Sequence, residues 1–193
     1  MTAPSRHAFF TDHEHALVGV ACERMIPAEH GHPGARALGV ADYIDTLLGA
    51  FSFDPPRIFA GGPFSGRAGG DAGFDRFVAL SNTQELAWRT RIEGSLGRPE
   101  REFNGPVRGW QETYRDGIAT IGTDFATADA DEQDRRLAAV AEFRDLLYRH
   151  ACEGAYGAPE YGGNRELAGW QAIRFPGDVQ PRGYTDEEVS GRA

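Results

Sequence analysis

Thr11-Asp12-His13-Glu14-His15-Ala16-Leu17-Val18-Gly19-Val20-Ala21-Cys22-Glu23-Arg24-Met25-Ile26-Pro27 decides the fold class of this chain. It opens on a capping box, in which the Thr11 hydroxyl and the Glu14 carboxylate each bond the other's backbone N–H. Leu17, Val20, Ala21 and Met25 then recur at helical spacing until Pro27, which predicts a helix over residues 12–26. The same grammar repeats down the chain. Pro33 opens a second helix whose stripe is Val40, Ile44, Leu47, Leu48 and Phe51, stopped by Asp54-Pro55-Pro56. Phe74, Phe77 and Leu80 suggest a short helix. Ser81 with Gln84 makes another capping box leading into Leu86, Ile92 and Leu96, with Gly97 as the stop. Pro106 starts a helix through Val107, Trp110, Tyr114, Ile118 and Ile121, in which Gly117 marks close packing. Asp129 with Glu132 caps a last long helix through Leu137, Val140, Phe143, Leu147 and Ala151 to Gly154.

No segment alternates with period two over a useful length, and no internal repeat is evident. The chain is therefore read as all-α: a helical domain over residues 1–177 with five or six helices, followed by an extended or disordered tail over 178–193. With 193 residues, 40% of them hydrophobic, one core and one domain are expected. The 25 glycines and 11 prolines exceed what a plain bundle needs, so long irregular connections are expected, above all in a central loop over 52–73 that carries Phe53, Ile58, Phe59 and Phe64.

The net charge of −9 argues against a surface that tracks phosphates. All 20 basic residues are arginine, which reads as coding bias more readily than as a functional choice. No apolar run approaches the length of a membrane span, and residues 1–10 lack the hydrophobic stretch of a secretory signal, so the chain as it stands is expected to be soluble and cytoplasmic. Cys22 and Cys152 are too few for a disulfide framework; each reads as a buried small hydrophobe, with a single bridge between the first and last long helices as the alternative.

Five histidines, His7, His13, His15, His30 and His32, fall near the start with Glu14 and Glu29 between them. Such a cluster invites a metal-dependent enzyme as an alternative reading. Its spacing is poor for one, because His13 and His15 lie about 200° apart on a helix. No nucleophile elbow, phosphate-binding loop or dinucleotide fingerprint is present, and Gly66-Arg67-Ala68-Gly69-Gly70 follows no strand. Asp42 and Asp45 read as ionised surface groups. No catalytic residue and no metal ligand set is assigned.

What the core pattern leaves unexplained is Tyr161-Gly162-Gly163-Asn164-Arg165, followed by Gly169-Trp170 and Phe175-Pro176-Gly177. Gly162 and Gly163 permit a tight turn that Asn164 can brace, beside the rigid apolar surface of Tyr161, Trp170 and Phe175. These aromatics either close the bottom of the core or meet a partner, and a small-molecule binding module is a further alternative. The run from Glu153-Gly154-Ala155-Tyr156-Gly157 through Tyr161-Gly162-Gly163-Asn164 to Phe175-Pro176-Gly177 resembles the C-terminal signature of the gluconate 2-dehydrogenase subunit 3 family. Phe9-Phe10-Thr11, Glu23-Arg24-Met25-Ile26-Pro27 and Pro33-Gly34-Ala35 to Tyr43-Ile44-Asp45 are similar to its opening pattern, so the likeness spans residues 9–177.

The resemblance implies a non-catalytic accessory subunit that binds, and stabilises or matures, a large flavin-dependent dehydrogenase of the glucose-methanol-choline class acting on a sugar or polyol. FAD would be held by that partner and no cofactor by this chain. It implies partner-binding roles for Tyr161, Gly162, Gly163, Asn164, Arg165, Trp170, Phe175, Pro176, Gly177 and Tyr184, with Asn164 and Arg165 facing the partner and apolar surface exposed around Phe59, Phe64 and Trp170. Many members of the family carry a twin-arginine export signal. Only Arg6 precedes the domain here, so export would depend on a signal carried by the partner.

Overall fold

The structure, a computed structural model, describes residues 7–60 and 78–176. Helices account for all of its named elements, and the fold is all-α and single-domain. Among the described residues there are eight α-helices: α1 (Asp12–Met25), α2 (Gly34–Ala37), α3 (Val40–Leu48), α4 (Asn82–Glu93), α5 (Trp110–Ile121), α6 (Ala130–Ala139), α7 (Ala141–Tyr156) and α8 (Ala168–Ala172), joined by short 3₁₀ turns.

The helix starts follow the local chemistry. Thr11 and Glu14 form the reciprocal capping box, as do Ser81 and Gln84, and the Asp129 carboxylate accepts from the Glu132 amide at 2.9 Å. The segments between the caps depart from expectation in four places. The second helix is two, because Gly39 sits at φ +72° and turns α3 away from α2; a Cβ there would lie 2.4 Å from Nε of Arg165, so the turn is where the C-terminal loop docks. The last long helix also breaks, at Val140 (φ −118°, ψ 57°). The break lets α6 lean onto α1, where Arg24 donates both Nε and Nη2 to the Asp134 carboxylate at 3.0 and 2.6 Å, while α7 runs on through the core.

The other two departures concern α4 and α5. The former ends at Gly94 rather than Gly97, leaving Leu96 outside the helix, and the latter starts at Trp110 rather than Pro106. The expected helix around Phe74 and Phe77, most of the central loop, Phe64, Gly66–Gly70, Gly177 and Tyr184 lie outside the described residues.

One core lies between α1, α3, α5 and α7, built on Leu17, Val18, Ile44, Leu48, Tyr114, Ile118 and Leu147. Gly117 is where α5 meets α7: an added Cβ would fall 2.1 Å from the Phe143 ring. A smaller cluster of Ala50, Ile58 and Ile92 sits under α4. Cys22 is wholly buried in the main core, where desolvation pushes its thiol pKa far up, and Cys152 is half-buried; both are free thiols. No helix of the described residues is long and apolar enough to cross a membrane.

Asp45 is the clearest correction to the sequence reading. It is not a surface carboxylate but is 6% exposed, accepting from the backbone N–H groups of Ala8, Phe9 and Phe10 at 2.6, 3.0 and 2.8 Å. A buried carboxylate held by three amides ties the segment before α1 onto α3.

Candidate functional site

The C-terminal signature folds back over the last turn of α7, and its glycines are explained by how closely the backbones approach. A Cβ at Gly163 would sit 2.0 Å from the Gly154 carbonyl oxygen, and one at Gly169 would sit 2.0 Å from that of Ala155. Gly154 in turn faces the Tyr43 ring of α3, where a Cβ would fall at 2.9 Å. Only hydrogen fits at these crossings.

Asn164 fastens the crossing. Its backbone sits in the left-handed region (φ 45°), its amide donates to Gly154 O at 2.7 Å, and its side chain donates to Gly157 O at 2.9 Å. The Oδ1 atom accepts from the amides of Gly169 at 2.9 Å and Trp170 at 3.4 Å. One fully buried amide thus links the end of α7 to the start of α8. Trp170 is 6% exposed and donates Nε1–H to the Tyr156 carbonyl at 2.7 Å, with the Phe175 ring edge-on at 5.0 Å.

Asn164 and Trp170, read from sequence as facing a partner, therefore lie inside. Their polar atoms are used within the loop. Tyr161, Arg165, Phe175 and Pro176 are exposed beside Ile173. Arg165 pairs with Asp42, whose other oxygen lies 3.0 Å from Nε2 of His15. The His15 ring stacks on His7 at 4.0 Å.

A cleft of about 570 Å³ opens between α3 and this loop, with Tyr43, Trp88, Phe59 and Tyr161 supplying aromatic walls. Burial, and then the neighbouring Glu153 carboxylate, drives the Tyr43 phenol pKa far above its ordinary value, so it stays protonated and donates to Glu153 Oε2 at 2.9 Å. Tyr161 is raised for the same kind of reason, burial first and then Glu160. The cleft offers hydroxyl donors, carboxylates and ring faces, which bind and orient. Tyr43 and Trp88 were given no site role by the sequence reading; Tyr43 entered it only as part of the family's opening pattern.

Of the five histidines only His7 and His15 come together. His7 and His15 stack against α3, His13 and His30 are exposed, and His32 accepts the Gly34 amide at Nδ1 (3.1 Å) and meets the Tyr156 hydroxyl at Nε2 (3.1 Å). Among the described residues no three His, Cys, Asp or Glu side chains converge as metal ligands. Nor does any described segment present the strand, glycine turn and helix that cradle a dinucleotide diphosphate.

Comparison with protein families returned one that spans this architecture, the family described as gluconate 2-dehydrogenase subunit 3, which matches residues 12–177. The chain belongs to that family. The match runs from the first residue of α1 to the end of the signature, so the glycine crossings, Asn164 and the cleft all lie within the subunit 3 region. Neither the comparison with curated proteins nor that with solved structures gave a match. A subunit 3 chain is an accessory subunit of a dehydrogenase complex.

Proposed function

We propose that this subunit 3 chain is the non-catalytic partner that binds and stabilises an FAD-dependent sugar or polyol dehydrogenase of the glucose-methanol-choline class. The flavin is held by the large subunit. The observation that carries the reading is the division of labour in the signature. Gly154, Gly163, Asn164, Gly169 and Trp170 build a rigid buttress, and the side chains it turns outward are Tyr161, Arg165, Ile173 and Phe175. Aromatic side chains and arginine on a rigid support are the residues that dominate protein interfaces.

The mechanism is thermodynamic. Binding the native large subunit and not its unfolded chain stabilises it by about 2.7 kcal/mol at a hundredfold excess over Kd. Co-expression of this chain, tagged, with a flavin-dependent glucose-methanol-choline-class oxidoreductase from the same genome tests the reading. The expected result is a yellow complex on pull-down, with dye-reducing activity over a sugar panel that is lost when this chain is omitted. A large subunit that is soluble, flavin-loaded and fully active alone, with no co-purification, would refute it.

A further inference from the structure

The cleft between α3 and the C-terminal loop is lined by polar groups that the chain itself does not use. Arg57 is exposed along it, with its guanidinium stacked on the Phe53 ring at 4.1 Å and paired with no carboxylate among the described residues. Arginines elsewhere, such as Arg24, Arg89 and Arg136, are taken up by carboxylates. Glu153 lines the same cleft. Its Oε2 accepts from the Tyr43 phenol at 2.9 Å, and its Oε1 takes no hydrogen bond from any described residue. The Thr46 hydroxyl, a third polar group on the lining, likewise bonds to no described residue.

The walls around these groups are apolar and held in place. Leu47 and Trp88 pack on the small cluster of Ala50, Ile58 and Ile92, and Trp88 meets Trp110 edge-on at 6.2 Å. The Tyr43 ring lies against Gly154, where an added Cβ would fall 2.9 Å from it. A volume of about 570 Å³ admits a small organic molecule, and apolar walls with a few convergent polar groups are the composition of a ligand site. Each group on the lining selects a feature of the occupant. A guanidinium with its planar fork open takes a carboxylate, a carboxylate oxygen takes a hydroxyl or ammonium donor, and ring faces take a flat body. Arg57 and Glu153 carry opposite charge and are not paired with each other, so the complementary molecule offers an anion to one and a donor to the other. Because Glu153 shares the cleft, a singly charged carboxylate suits it better than a doubly charged phosphate.

We propose that this cleft is a binding site for a small aromatic monocarboxylate that bears a hydroxyl or ammonium group. Arg57 takes the carboxylate, Glu153 and Thr46 take the donor end, and Tyr43 and Trp88 flank the ring. The inference adds a ligand site to the subunit and does not depend on the accessory-subunit reading. Tyr161, on the outward edge of the signature, also lines the cleft, so a bound molecule lies beside the surface proposed to meet the large subunit.

The test is an amide NMR titration of the full-length chain with para-hydroxyphenylacetate and para-aminomethylbenzoate. Phenylacetate, tyramine and phenyl phosphate serve as probes that lack the donor, lack the carboxylate, or replace it. At least one of the first two is expected to bind with Kd below about 1 mM, shifting amides along the cleft. The tighter of the two assigns the donor as hydroxyl or ammonium. Arg57→Gln is expected to raise that Kd at least about tenfold and to leave tyramine unaffected. Glu153→Gln is expected to raise it severalfold, to the value for phenylacetate. Both side chains are exposed, and unchanged amide shifts outside the cleft check that each variant is folded. No binding of either probe at about 10 mM, or a Kd that Arg57→Gln changes by less than twofold, overturns the site. Tighter binding of tyramine overturns the carboxylate in favour of an organic cation, and tighter binding of phenyl phosphate overturns it in favour of a phosphate. Each of these outcomes leaves the pairing with the large subunit to be decided by co-purification.

Discussion

Asn164 and His150 show how single side chains act in this molecule. Asn164 makes three side-chain contacts from full burial, so Asn164→Ala leaves the Gly157 carbonyl and the Gly169 amide without their partner. We expect a loss of about 3 kcal/mol in urea unfolding, with Asn164→Gly less damaging by about 1 kcal/mol because glycine accepts the left-handed backbone. Equal midpoints for wild type and Asn164→Ala would remove the amide from its fastening role. His150 lies 2% exposed on α7, its Nδ1 3.0 Å from the Tyr114 hydroxyl and its ring edge-on to Trp110 at 4.6 Å. Burial, and secondarily Arg149, lowers its pKa to about 4. Unfolding releases it to the ordinary value of about 6.5, so between those values the unfolded chain binds the extra proton. Stability conferred by neutral His150 is thus whole above pH 6.5 and drains away as pH falls towards 4, by about 3 kcal/mol in all. Chemical denaturation from pH 7 to 4 should show this slope, and His150→Gln should flatten it; an unchanged slope in the variant assigns the acid sensitivity elsewhere.

At the scale of elements, the C-terminal signature is a packing device before it is a surface. Gly163→Ala drives a methyl group into the Gly154 carbonyl, a backbone atom that cannot swing aside. The expected cost is at least about 3 kcal/mol, or a melting temperature lower by about 6–12 °C, with proteolysis opening the segment around residues 157–165 first. Gly97→Ala is the comparison, since Gly97 has positive φ (+69°) but an added Cβ there meets open space, so only backbone strain acts and about 1 kcal/mol is expected. If the two variants melt together, the crossing is looser than its geometry implies. The helix starts were legible in the sequence because Thr11 with Glu14, Ser81 with Gln84 and Asp129 with Glu132 satisfy orphan amides within one turn. The breaks at Gly39 and Val140 were not legible, because apolar Leu38 and Val40 flank Gly39 on both sides and the apolar stripe runs through Val140. Nothing local distinguishes a glycine that turns the chain under Arg165 from one tolerated inside a helix.

Over the whole molecule, the main core between α1, α3, α5 and α7 leaves Tyr161, Phe175 and Phe103 exposed. The sequence by itself determined the all-α class, the three capped helix starts at Thr11, Ser81 and Asp129, and the family, because caps, periodicity and the signature residues act over a few positions at a time. Tertiary structure alone decided that Asp45 and Asn164 are buried, that of the five histidines only His7 and His15 meet, and that Phe103 stands in water. Each of those outcomes depends on what the rest of the fold brings up to the residue or leaves away from it. Asp45 meets the amides of Ala8 to Phe10 some 35 positions earlier in the chain, and Arg165 reaches Asp42 across 123. The spacing of residues along a sequence carries local geometry, whereas burial is settled by which distant surfaces close over a side chain.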